Sequence, residues 1–151
     1  RVMVWHAKTL APIQTLEGHE ECVNGVAVSP DSTKIVTGDG YGVVKVWEVQ
    51  GEEGRWEVKR TINDHTDAVI PVAFSPDGKM LATGSWDTTI KVYSVPNDFS
   101  LMHTLEGHTD DVVSLSFSPS RRLCSSSADK YRLLTQLGRP TGTSSPAAVL
   151  G

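Results

Sequence analysis

His65, Ser85 and Asp87 carry the ingredients of hydrolysis within one stretch of the chain. A serine hydroxyl that gives its proton to an imidazole, itself oriented by a carboxylate, attacks esters and amides. Such a serine needs a sharp, exposed turn, and the sequence has no GxSxG elbow and no separate Gly-rich oxyanion loop to serve it. The same parts also recur. His65, Thr83 or Ser85, Asp87 and Tyr93 are followed by His108, Ser125 or Ser127, and Asp129. A catalytic constellation is needed once, whereas a structural one repeats with the unit that it stabilises. The set is therefore read as a hydrogen-bonded network, and no residue is assigned a catalytic role.

Other candidate chemistry is weaker still. GDGYG (38–42) is rich enough in glycine to cradle a phosphate, but it joins two strands instead of opening a helix, so it reads as a turn. Cys22 and Cys124 form no CxxC pair and stand near no clustered histidines, which indicates neither a zinc site nor a disulfide framework. No metal and no cofactor is expected. The acidic runs EGHEE and HTDD fall in equivalent loops and read first as a solvated rim that could attract a basic partner.

The elements that must position these residues come from an internal repeat. Three segments align: GHEECVNGVAVSPDSTKIVTGDGYGVVKVWEV from Gly18, DHTDAVIPVAFSPDGKMLATGSWDTTIKVYSV from Asp64, and GHTDDVVSLSFSPSRRLCSSSADKYRLL from Gly107. His19, His65 and His108 lie 46 and 43 residues apart, and Pro30, Pro76 and Pro119 each follow 11 residues after a histidine. Trp47 and Tyr93 end the third short strand of their units, and Trp5 extends that register upstream. Each unit reads as four short strands. A β-branched run closed by Ser-Pro is the first (Val23–Ser29, Val69–Ser75, Val112–Ser118). Asp31-Ser32 and Asp77-Gly78 then turn the chain into the second (Lys34–Gly38, Lys79–Ser85). The third alternates Ile90, Val92 and Ser94 with Lys91, Tyr93 and Val95, and the fourth is WEVKRTI (56–62) or SLMHTL (100–105). No helical period appears.

The 151 residues carry a net charge of −4, with 38% hydrophobic and 21% charged residues. This is the balance of a folded chain, and its acidity argues against nucleic acid, which favours a basic face. No window approaches the roughly 20 apolar residues of a membrane span, and RVMVWHAKTL lacks a signal peptide's apolar core.

Recurring GH, SPDG and Trp elements in register resemble the WD-repeat family over roughly residues 1–135. The resemblance implies an all-β fold, a partial β-propeller of four-stranded antiparallel blades, with two whole blades and two incomplete ones. The chain opens on the third and fourth strands of one blade, supplies two whole blades (about 22–62 and 68–105), and adds two or three strands from 111. After Asp129 the template is lost. Strict register would put Thr135 where Trp47 and Tyr93 stand; shortening the turn by one residue restores alternation through YRLL (131–134) and places Leu134 in the aromatic slot. Residues 136–151, rich in Gly, Pro, Ser and Thr, read as a flexible tail.

In such blades the resemblance implies a hydrogen-bonded set of loop histidine, Ser/Thr, turn aspartate and Trp. Here that set comprises His19 and Trp47, then His65, Thr83, Ser85, Asp87 and Tyr93, then His108 and Asp129. By the family pattern the first set is broken, with Tyr41 where the aspartate belongs, and the second lacks Trp. The resemblance also implies a loop face that grips proteins or peptides through Cys22, Gly40, Asn24, Ala68, Ile70, Trp86, Asp111, Val113 and Ala128. Trp86 stands out, because the strand pattern asks for no large aromatic in a turn and Trp is enriched at binding hot spots; the other reading is an indole lying flat over its own loop. The expected function is a non-catalytic interaction scaffold that is a fragment of a larger propeller, with its open sheet edges covered by remaining blades or by a partner. The alternative is the propeller portion of a ubiquitin-ligase receptor, a peptidase or a kinase-linked protein whose other domain lies outside this chain. A cytoplasmic or nuclear setting is expected, with no nucleic acid or membrane partner.

Overall fold

Short β-branched runs separated by Gly, Asp and Ser-Pro turns fold as strands of four to eight residues. The computed structural model describes residues 1–51 and 54–129, together with the backbone of strand 132–136. Thirteen strands are described and they form four antiparallel sheets. β1 (Val2–Trp5) pairs with β2 (Pro12–Leu16). The second sheet runs in order through β3 (Val23–Val28), β4 (Lys34–Asp39), β5 (Val44–Gln50) and β6 (Arg55–Ile62). The third repeats it with β7 (Val69–Phe74), β8 (Met80–Ser85), β9 (Ile90–Ser94) and β10 (Ser100–Leu105). The fourth holds β11 (Val112–Phe117), β12 (Arg122–Ser127) and β13 (Arg132–Gln136).

Every sheet is a simple meander, so each strand pairs with its neighbour in sequence and only local turns are needed. The Ser-Pro turns close in one way. Ser29 Oγ donates to Asp31 Oδ1 and accepts the Lys34 N–H, and Ser75 Oγ does the same with Asp77 Oδ1 and the Met80 N–H. These bonds satisfy backbone groups that a tight turn would otherwise leave unpaired.

Stability lies between the sheets. Val36, Val44, Val46 and Ile62 of the second sheet bury against Val69, Leu81, Tyr93 and Phe99 of the third. Ala82, Ile90 and Val92 of the third bury against Val112 and Leu123 of the fourth. Ile35 and Trp47 are covered by Leu16, Val2 and Val4 of the first. Each interior sheet thus buries both faces, as stacked repeats require, because one unit alone cannot cover its own apolar face. The first strands β3, β7 and β11 pack successively against one another and set the sheets side by side like blades. Where they meet, glycine is required: a Cβ on Gly25 would lie 2.1 Å from the Ile70 carbonyl oxygen.

The register of β13 corrects one expectation. Ile35 faces Trp47, Leu81 faces Tyr93, and Leu123 faces Thr135, so Thr135 and not Leu134 holds the aromatic position. The residue missing from the third repeat is lost earlier, in the Ser-Pro turn, where Leu123 follows Pro119 one position sooner than Leu81 follows Pro76. Apart from Gln136, the expected tail lies outside the described residues.

Candidate functional site

Three histidines, one before the first strand of each sheet from the second on, reach the far end of their own second strand. In the second sheet, His19 Nδ1 lies 2.6 Å from Asp39 Oδ2 and Nε2 lies 2.6 Å from Thr37 Oγ1, which also accepts from Trp47 Nε1–H at 2.9 Å. The indole N–H can only donate, which leaves the Thr37 hydroxyl proton free to go to His19 Nε2. In that arrangement the imidazole is neutral and its Nδ1–H is donated to Asp39. Burial lowers the His19 pKa against the opposing pull of Asp39.

In the third sheet, His65 Nδ1 lies 2.7 Å from Asp87 Oδ2 and Nε2 lies 2.8 Å from Thr83 Oγ1. Burial lowers the His65 pKa, again against its aspartate. Burial also works to raise the Asp87 carboxyl, but hydrogen bonds from the Thr89 hydroxyl and N–H and from His65 hold it at about 2. In the fourth sheet, His108 Nδ1 lies 2.8 Å from Asp129 Oδ2 and Nε2 lies 2.9 Å from Ser125 Oγ. Asp87 and Asp129 also accept the N–H of Thr66 and of Thr109, pinning the histidine loop to the strand turn.

Ser85 takes a different part. It is buried, its hydroxyl donates to the Asp67 carbonyl at 2.8 Å, and it accepts the Asp87 N–H. Ser127 repeats this with the Asp110 carbonyl and the Asp129 N–H. His65 bonds Thr83 and Asp87 while Ser85 faces a backbone carbonyl, so the nucleophile–base pair of a hydrolase is not assembled. Among the described residues, no three of His, Cys, Asp and Glu gather as a metal site.

The first network is complete, contrary to the reading that put Tyr41 in the aspartate's place. Asp39 stands in the register of Ser85, and β4 runs one residue past its expected end to include it. Its Oδ2 binds His19, and its Oδ1 accepts the N–H of Tyr41 and of Val43. One aspartate makes the imidazole contact and accepts the two turn N–H groups that Ser85 and Asp87 divide between them in the next sheet. Counting positions missed it, because a carboxylate two residues nearer the strand reaches the same imidazole from a tighter turn. In the second network Tyr93 stands where the first has its indole, and its fully enclosed hydroxyl forms no well-aligned hydrogen bond, although Thr83 and Asp64 act on it.

The partner-facing candidates lie on the same end of the sheets. The N–H groups of Gly40, Trp86 and Ala128 bond the carbonyls of Cys22, Ala68 and Asp111, so these three turn residues are structural equivalents. Only one of them has a large side chain, and the Trp86 indole is 45% exposed. Asn24 and Val113 are exposed, Ile70 and Asp111 half-buried, and Ala68 buried.

The model of the WD domain, G-beta repeat, matches residues 10–48, 56–94 and 99–131. The chain belongs to the WD-repeat family. Its WD repeats are similar to human apoptotic protease-activating factor 1, 40% identical over 50 residues, which is 33% of this chain and 4% of that protein. They are also similar to the B-type cell cycle switch protein ccs52B of Medicago truncatula, 43% identical over 49 residues, or 32% of this chain and 10% of that one. Among solved structures, the WD40 repeats of RRP9 superpose with a TM-score of 0.75 at 25% identity, covering 90% of this chain and 41% of that one. The structure of U3-55K gives 0.74 at 26% identity, covering 82% and 38%. The chain thus spans less than half of these two solved structures and a tenth or less of these two curated relatives. Among the described residues, no helix is long and apolar enough to cross a membrane.

Proposed function

We propose that the chain is a non-catalytic WD-repeat interaction module that holds another protein or a peptide on the face built from its histidine loops and the turns before each third strand. The observation that carries this reading is Trp86. Its backbone is fixed by the Ala68 carbonyl in a turn where the equivalent residues are Gly40 and Ala128, and its indole stands out into solvent. The repeats need no side chain there, and an exposed, rigidly mounted Trp is the kind of anchor on which interfaces concentrate their binding energy. Asn24, Ile70, Asp111 and Val113 extend the contact surface on either side. The acidic loops suit a protein partner better than a nucleic acid. The free cysteines Cys22 and Cys124 accord with a cytoplasmic or nuclear setting.

A second surface also needs cover. Val2 and Val4 pack inward on Trp47, so the alternating Met3 and Trp5 face outward beside the unpaired edge of β1, and Trp5 is 52% exposed. Remaining blades or a partner fill this place, because an open apolar edge invites aggregation. The test is affinity purification of the full-length protein with and without Trp86→Ala, with partners identified by mass spectrometry. Partners should be lost while the melting temperature holds; recovery of the same partners from the variant would refute the reading. The non-catalytic half falls if an esterase activity exists and Ser85→Ala abolishes it without unfolding the chain.

A further inference from the structure

The turn 39–42 of the second sheet, the loop 65–68 of the third and the turn 85–88 of the third form one continuous ridge. Gly42 abuts the loop so closely that a Cβ there would lie 2.7 Å from the His65 carbonyl oxygen and 2.9 Å from that of Asp67. Ser85 and Trp86 grip the other side of the same loop through the Asp67 and Ala68 carbonyls. The Asp67 backbone is therefore held between two turns that each carry an exposed aromatic residue, Tyr41 at 65% and Trp86 at 45% exposure. Asp67 is itself exposed, and its Oδ1 accepts the Ala68 N–H, which stiffens the loop that carries it.

From this juxtaposition we infer that the ridge Tyr41–Asp67–Trp86 receives a cationic side chain, lysine or arginine, of the bound peptide. The inference rests on the proposed loop-face reading and specifies its partner. An aromatic face attracts a cation within about 6 Å of its centroid, and a carboxylate beside it supplies the opposite charge. Charge complementarity selects this occupant. Loop-face residues 20–24, 39–42, 66–70, 85–88, 109–113 and 127–130 contain a single basic residue, Lys130, against the carboxylates of Glu20, Glu21, Asp67, Asp110 and Asp111. Glu21 is kept ionised beside Tyr41: the Cys22 N–H, the Cys22 thiol and the Tyr41 hydroxyl hold its carboxyl below the usual range. An acidic or purely apolar peptide meets repulsion, or no charged mate, at this ridge.

The test uses the full chain, isotopically labelled, titrated to millimolar concentration with matched Gly/Ser peptides. Their centres carry paired lysines, arginines, acetyl-lysines or glutamates. The Trp86 indole N–H and Asp67 amide resonances should shift saturably with the lysine and arginine peptides and stay still with the other two. Comparison of the first two ranks the cations. Asp67→Asn, which keeps the acceptor for Ala68, and Trp86→Ala, which reproduces the Ala128 turn, should each weaken binding at least fivefold with unchanged melting. The inference is overturned by no shift with any cationic peptide, by an equal response to acetyl-lysine or glutamate, or by indifference to both variants, which would mark diffuse charge attraction. If the peptides fail while partner capture by the full-length protein still depends on Trp86, only the cation assignment falls. If capture is also independent of Trp86, the loop-face reading falls with it.

Discussion

His19 Nδ1 sits 2.6 Å from Asp39 Oδ2, although Asp39 occupies the repeat position of Ser85 and not that of Asp87. The same imidazole contact is reached by two turn chemistries in adjacent sheets, one aspartate in the first case and a serine with an aspartate in the second.

This exchange is testable by substitution. Asp39→Ala leaves the His19, Tyr41 and Val43 donors without their acceptor and is expected to cost about 3 kcal/mol or more. Asp39→Ser with Tyr41→Asp copies the Ser85–Asp87 arrangement and should recover most of that loss. Urea denaturation of the single and double variants measures both; a double variant no more stable than Asp39→Ser would show that the two turns are not interchangeable.

Trp47 and Tyr93 hold equivalent positions with unequal bonding. Trp47 donates to Thr37, whereas the enclosed Tyr93 hydroxyl makes no well-aligned hydrogen bond, with Thr83 and Asp64 acting on it, and burial pushes its pKa up. Tyr93→Phe should therefore be neutral or stabilising by up to about 1 kcal/mol, since it removes an unsatisfied polar atom. Trp47→Phe should cost about 1–3 kcal/mol in lost packing and a lost hydrogen bond to Thr37, which keeps its bond to His19. Thermal unfolding of the pair decides, and a marked loss in Tyr93→Phe would place a hydrogen-bond partner on that hydroxyl.

Gly42 and Thr88 share one turn position, at φ +83° and 72°. A β-branched residue is strained there, so Thr88→Gly should be neutral or stabilising by up to about 1 kcal/mol. Gly42→Thr should be severely destabilising, because its Cβ would meet the His65 carbonyl as well. Matching melting shifts in the two variants would contradict this.

Acid should unfold the chain in two stages. His19 and His65 have folded pKa values lowered from 6.5, so the unfolded chain binds more protons and stability is lost as pH falls below about 6.5. Asp31 and Asp87 are held at about 2 against 3.8; their contribution is present above 3.8 and disappears as pH falls toward 2. Melting temperature followed from pH 8 to pH 3 should be level at first, then decline below 6.5 and again below about 4. A rise between 6.5 and 5 would mean that the imidazoles gain protons on folding.

Strand number, order and pairing were legible because period-two alternation and Ser-Pro turns fix each meander locally. The histidines and Asp87 were legible because they recur. Asp39 was not, since position counting assumes equal turns, and a side chain's reach depends on where its strand ends. Thr135 was misplaced as Leu134 for a related reason: the sequence shows a missing residue but not which turn absorbed it.

Residue pattern alone determined an all-β array of four-stranded units with one polar network in each, because side-chain alternation and turn chemistry act within a few residues. Tertiary structure decided which oxygen meets which imidazole, that Ser85 faces a carbonyl, and that the Asp67 loop lies between the turns carrying Tyr41 and Trp86. The first two depend on where each strand ends and how its own loop folds back over it; the last depends on how one sheet packs on the next, which is not a property of any single repeat.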